Sequence, residues 1–212
     1  MKKLTEVYMR SDYRTPDQES IAPLINHIGA IVKLSEEEIA VMERLWKPKL
    51  LEKGDYLLRN GNVCRYDSYV VSGSLKAYYI NAENGQEEII YFAVDDWWAS
   101  DIYSFSKQQP SIYTIQALEK TSLLQISFSS FQQLLEEVPR LERYFRIILE
   151  GYLGKLQQRI VYSHVHDAET RYYDFVRQYP LIAKRVPQYL IASYLGVSAE
   201  FISRIRKKNK SS

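Results

Sequence analysis

Cysteine is nearly absent from this sequence: Cys64 is the only one in 212 residues. A single thiol cannot form an internal disulfide. Within one chain it also excludes a four-cysteine iron–sulfur cluster and a CxxC zinc site. Histidine is scarce too, limited to His27, His164 and His166, with none between Leu50 and Phe128. A metal-dependent enzyme on a β-barrel needs clustered His and carboxylate ligands, so the chain reads as a binding protein. No catalytic residue, metal or cofactor is expected. His164-Val-His166 has two ligand-type side chains but no third nearby, and reads as a hinge. Cys64 adjoins Arg65, whose charge favours a thiolate, yet it reads as an inert thiol. No apolar run reaches the ~18 residues of a membrane span, and the first twenty residues lack the apolar core of a signal peptide. A soluble cytoplasmic protein with no membrane partner is expected. No internal repeat or low-complexity tract is visible.

What is present is ordinary globular material, 46% apolar and 25% charged, with 18 tyrosines. So many tyrosines suit strands and half-buried surfaces. The net charge of +2 is unevenly spread: residues 164–212 hold nine Lys/Arg against four Asp/Glu, leaving 19 against 22 elsewhere. A basic C-terminal end on a mildly acidic body suits contact with a polyanion.

Residues 1–20 are polar and irregular and read as an N-terminal arm. Residues 21–137 form the first predicted domain. It begins with a helix near Ile21–Ile31 and a second after Ser35, where Ser35 and Glu38 make a capping box. From Leu50 to Phe128, short apolar runs alternate with turn signals such as Lys53-Gly54-Asp55, Ser72-Gly73 and Asn84-Gly85. The runs are Tyr56–Leu58, Ser68–Val71, Leu75–Ile80, Glu88–Phe92, Tyr113–Ala117 and Ser122–Ile126, a spacing that predicts an antiparallel roll or barrel. The aromatics Phe92, Trp97, Trp98, Tyr103, Phe105 and Tyr113 read as core or pocket lining. A short helix is expected over Ser129–Glu137. A long one follows over 138–163, where Leu141, Phe145, Ile148, Tyr152, Leu156 and Ile160 form an apolar stripe fit for pairing with a second copy. After a hinge at His164–Asp167, a helix capped by Asp167 or Thr170 should end at Pro180.

The strongest motif runs from Gln188 to Ile205. A helix-turn-helix needs a small residue where its helices cross, a glycine at the turn, and apolar anchors on the second helix. Ala192, Gly196, Ile202 and Ile205 fill those places in register, and Ser198 can cap the second helix. On that helix Glu200, Ser203 and Arg204 are candidates for base contact. Ser198, Arg206, Lys207 and Lys208 are candidates for phosphate contact.

With these elements in order, the chain resembles the Crp/Fnr family of regulators over residues 21–208. The resemblance rests on Lys53-Gly-Asp55, Val71-Ser-Gly73-Ser-Leu75, Asp96 with Trp97-Trp98, Ala117, and Val186–Ile205. It implies an α+β fold: an antiparallel β-roll like a cyclic-nucleotide-binding domain, a long dimerisation helix, and an all-α helix-turn-helix domain over 164–212. Family members usually add a β-hairpin wing after this domain. Only four residues follow Lys208, so the usual wing is expected to be lacking. Ala199 stands where some members carry an additional arginine. The implied effector pocket falls on Ala99, Ser100, Ser111 and Tyr113, and it lacks the arginine that would hold a cyclic phosphate. Independence from cyclic nucleotides follows. The implied partners are double-stranded DNA with an inverted repeat, a second copy of the chain, RNA polymerase and a small-molecule effector. Two alternatives stay open: a docking module that no longer recognises DNA, and a cyclic-nucleotide-responsive regulator with an atypical pocket.

Overall fold

In a computed structural model of the chain, residues 20–210 are described, with side chains to Lys208; the expected N-terminal arm lies outside them but for Ser20. Two short helices, α1 (Ala22–Gly29) and α2 (Glu36–Leu45), lead into β1 (Lys47–Leu51), β2 (Tyr56–Leu58), β3 (Tyr66–Ser72), β4 (Ser74–Ile80) and β5 (Glu87–Val94). Then come α3 (Ile102–Lys107), β6 (Thr114–Ala117), β7 (Thr121–Ser127), α4 (Phe128–Glu137) and the long α5 (Leu141–Val165). Four helices close the chain: α6 (Ala168–Gln178), α7 (Pro180–Arg185), α8 (Gln188–Leu195) and α9 (Ala199–Lys210).

The strands form two antiparallel sheets, ordered β1-β7-β3 and β2-β6-β4-β5. Alternation along β7 separates two cores. Leu123 faces the roll interior with Leu75, Ala77, Ala93 and Ile115, while Leu124 and Ile126 face α1, α2, α4 and the start of α5. Gly73 sits between the sheets at φ 114°, where an added Cβ would lie 2.4 Å from the Thr121 hydroxyl and 2.6 Å from its Cα. Only glycine fits there. The Ser35–Glu38 capping box forms, with the Ser35 N–H donating to Glu38 (2.8 Å) and the Glu38 N–H to Ser35 Oγ (3.3 Å).

A third core joins the roll to the C-terminal helices. Tyr78, Ile89, Phe92 and Val94 of the roll pack with Tyr172, Phe175, Leu190, Ile191, Ile202 and Ile205. The roll and the four last helices therefore share buried apolar surface.

Several expectations need correction. Strand β1, KPKLL, was not anticipated; it is an edge strand, where proline and exposed lysines are tolerated. Helix α3 hides in an aromatic and serine-rich stretch, started by Asp101 accepting the Ser104 N–H (3.0 Å). Pro180 does end α6, but it also occupies the first turn of α7, where its missing N–H costs nothing. The hinge is shorter than expected, since α5 continues to Val165, His166 caps it, and Asp167 starts α6 by accepting the Thr170 N–H (2.8 Å). The aromatic group is not one cluster: Trp98 packs in the helix-side core, Phe92 and Trp97 in the shared core, Phe105 and Tyr113 in the roll, and Tyr103 is exposed.

The stripe on α5 also divides. Leu141 and Ile148 are buried in the chain's own core beside Tyr144, and Phe145 packs against Trp98 and Phe131. They face the roll, not a second copy. The exposed apolar residues begin at Leu149 (46% exposed) and continue through Tyr152, Leu153 (54%), Leu156 (37%) and Ile160 (55%). Leu149, Leu153, Leu156 and Ile160 recur at 4, 3 and 4 residues, a separate seam rotated by about a quarter-turn from the buried one. Periodicity alone had merged the two.

Candidate nucleic-acid interface and effector cavity

Helices α8 and α9 meet at a turn that local chemistry dictates. Gly196 caps α8 in the left-handed region (φ 66°, ψ 41°), and its N–H bonds back to Ser193. Two residues on, the Ser198 hydroxyl accepts the Phe201 N–H (3.1 Å) and starts α9. Ala192 is buried at the crossing, and Ile202 and Ile205 anchor α9 against it. The opposite face of α9 carries Glu200, Ser203, Arg204 and Lys207 at i, i+3, i+4 and i+7, all exposed. The three candidates for base contact therefore share one outward face. Ser198, Arg206 and Lys208 are also exposed, on its flanks. Lys208 lies 3.8 Å from Glu169 of α6, a loose pairing. Glu200 in the first turn also suits the helix dipole.

Behind this unit, three polar groups join it to the roll, and the sequence marked none of them as functional. Arg185 spans Asp95 (3.1 Å) and Glu119 (2.6 Å). Arg159 of α5 donates to the Ile90 and Tyr194 carbonyls. Ser193 of α8 accepts the Ile89 N–H (3.0 Å) and donates to the Glu87 carbonyl (2.9 Å). Their bonds to the roll cross 66 to 106 positions of chain, so no local pattern reports them.

The expected effector residues are only half assembled. Ala99 and Ser100 line a cavity of about 290 Å³ that opens into the roll. Ser111 and Tyr113 do not line it. The buried Ser111 hydroxyl donates to Asp101 (2.7 Å), and Tyr113 donates its hydroxyl to the Ser100 carbonyl (3.2 Å). Tyr91 donates to the same carbonyl (3.0 Å). The rest of the wall includes Arg59, Arg65, Cys64 and Gln125, which no local spacing groups. Arg59 lies over the Tyr56 ring at 3.5 Å. Burial pushes the Cys64 thiol up to about 11, well away from a reactive thiolate. His164 and His166 sit at the end of α5, and no group of three metal-ligating side chains occurs among the described residues.

Comparison with known proteins agrees with this arrangement. A family profile for the cyclic nucleotide-binding domain matches residues 48–138. The chain is 27% identical over 202 residues to the transcriptional activator protein Anr of Pseudomonas aeruginosa, covering 88% of this chain and 78% of that one. It is also 27% identical over 191 residues to the fumarate and nitrate reduction regulatory protein of Escherichia coli, covering 81% and 72%. Among solved structures, FixK2 from Bradyrhizobium japonicum superposes with a TM-score of 0.67 at 15% identity, over 79% of this chain and 85% of that one. The regulator CLP from Xanthomonas campestris gives 0.65 at 17% identity, over 84% and 92%. The roll, the long helix and the turn at Gly196 give the chain the fold of these structures, and its sequence is similar to that of transcription regulators such as Anr.

Proposed function

We propose that the chain acts as a dimer that reads an inverted-repeat DNA operator with one α9 helix from each copy. The observation that carries this is the common outward face of Glu200, Ser203 and Arg204, held opposite the buried Ile202 and Ile205. A recognition helix enters the major groove by its N-terminal half, where a carboxylate accepts from cytosine and an arginine donates twice to guanine. Ser198, Arg206, Lys207 and Lys208 supply phosphate contacts, which set affinity and its salt dependence. The exposed seam Leu149–Leu153–Leu156–Ile160 supplies the dimer contact, with Tyr152 at its edge. RNA polymerase is the partner through which such a regulator acts on transcription. Random-site selection with the purified protein tests the reading. Enriched sites should be inverted repeats with half-sites about 10 bp apart or a multiple of that. Enrichment of no sequence, or of sequences without two-fold symmetry, would overturn it.

The effector reading is narrower: the roll binds a small molecule at the cavity walled by Ala99 and Ser100, and that molecule is not a cyclic nucleotide. Supporting this, the position expected to hold a cyclic phosphate carries Ser111, whose hydroxyl is engaged by Asp101, and Ile112, which is 79% exposed. Calorimetry with cyclic AMP and cyclic GMP should give no binding at micromolar concentration; saturable heat would reverse the reading.

A further inference from the structure

Strand β5 is the outer strand of its sheet, so one row of its backbone groups has no strand to pair with. Helix α8 lies along that row, and the Ser193 hydroxyl does what a neighbouring strand would do. It accepts the N–H of Ile89 (3.0 Å) and donates to the carbonyl of Glu87 (2.9 Å), taking up an outward donor and an outward acceptor on the same edge. Next along the edge, Arg159 takes the Ile90 carbonyl and ties it to the Tyr194 carbonyl of α8. Beyond the strand's end, Arg185 joins Asp95 to Glu119. The face of α8 that carries Ser193 is turned to the roll, while α9 keeps its outward face exposed.

We propose that Ser193 is the positioning residue that fixes the helix-turn-helix unit on the roll, and with it the direction in which α9 presents Glu200 and Arg204. Only a short side chain that both donates and accepts can close this pair of bonds with the helix lying so near the strand. Alanine in its place leaves the helix intact, and indeed favours it, but abandons both backbone groups at the edge. The consequence for DNA rests on the operator reading given above. A fixed unit in each half of a dimer holds the two recognition helices at one separation, and a loosened unit tolerates several.

The experiment compares full-length wild type, Ser193→Ala and Ser193→Thr. Amide hydrogen exchange at Ile89 reports the docking without any DNA present. The expected result is at least tenfold faster exchange at Ile89 in Ser193→Ala, unchanged exchange within α8 and α9, and protection restored in Ser193→Thr, which keeps the hydroxyl. Unchanged exchange at Ile89 in Ser193→Ala would overturn the proposal. So would equal loss of protection throughout α8 and α9, because that is unfolding, not undocking. The second readout is binding to selected operators whose half-site spacing is altered by one base pair. Ser193→Ala should lose at least threefold of the wild-type discrimination between spacings, with the threonine variant restoring it. Discrimination unchanged in a variant whose Ile89 is deprotected would overturn the positioning role. Wild type that binds no duplex at all would sink the operator reading instead, and the exchange result would still decide the docking.

Discussion

Arg159 and Tyr194 are joined twice: the guanidinium donates to the Tyr194 carbonyl (3.3 Å) and lies 4.0 Å from the centre of its ring. The planar cation thus stacks on an aromatic face while its edge also serves the Ile90 carbonyl. One side chain of α5 therefore touches both the outer strand of the roll and the first helix of the helix-turn-helix unit.

Lysine at position 159 keeps the charge but loses the fork, so it can serve one carbonyl or the other. We expect Arg159→Lys to cost about 1–2 kcal/mol and Arg159→Ala somewhat more, through the abandoned carbonyls and lost ring contact. For a chain of this size each kcal/mol is a drop of about 2–4 °C in Tm. Calorimetric scans showing Arg159→Lys equal to wild type would mean that charge alone matters there.

The two glycines with demanding backbones should respond differently to alanine. At Gly73 the new Cβ meets Thr121 backbone and side chain at 2.4 to 2.7 Å in addition to φ 114°. At Gly196 the space is open and only φ 66° opposes it. Gly196→Ala should cost about 1–2 kcal/mol. Gly73→Ala should cost at least about 3 kcal/mol or prevent folding. Chemical denaturation of both variants checks the order, which would be reversed if the Gly196 turn were the tighter constraint.

The seam on α5 makes a sharp contrast with its buried neighbours. On the proposed dimer, placing glutamate at Leu153 and Ile160 together should give folded monomers, because both side chains are largely exposed within one chain. Glutamate at Ile148, by contrast, should unfold the protein, since it would put a charge into the helix-side core. Sedimentation equilibrium with circular dichroism separates the outcomes. A double variant that remains dimeric would move the interface elsewhere.

Acid should weaken the fold through His27. Its ring is buried beneath Tyr69 and Tyr144, and burial lowers its pKa to about 4. Tyr144 accepts the Trp98 indole N–H (3.2 Å), and its hydroxyl shares a hydrogen bond with His27 Nδ1 at 2.7 Å. The unfolded chain takes up a proton near pH 6.5 and the folded chain resists it until about pH 4. Stability is therefore lost as pH falls across that interval, by up to about 3 kcal/mol. Asp67 acts in the opposite sense, since burial raises its pKa to about 6 and the folded state there holds a proton that the unfolded state lacks. The His27 effect is thus isolated by comparison with His27→Gln, whose stability should fall less between pH 6.5 and 4. Parallel pH curves for the two proteins would remove His27 as the cause.

What the sequence made legible was what short-range chemistry decides. Ser35 with Glu38, Asp167 with Thr170, and Gly196 with Ser198 each bond within a few residues, so residue type and spacing suffice. The α9 anchors followed for the same reason. On α5 the helix was plain but its two apolar seams were read as one, because a spacing of three or four residues is shared by both. The partners of Ser193, Arg159 and Arg185 lay beyond reach, since each bonds to backbone or carboxylates from a distant strand or turn. The cavity wall was half-read because Arg59, Arg65 and Gln125 approach Ser100 only after the sheets close.

The shared core of Tyr78, Phe92, Phe175, Leu190 and Ile205 has a consequence for how such a protein can be taken apart. Cut free at the hinge, the last four helices would carry a raw apolar flank into water, and the roll would keep its matching scar. The two halves are therefore bound to change in concert: a substitution that reshapes either flank must be answered on the other before a working hybrid can be assembled from two relatives.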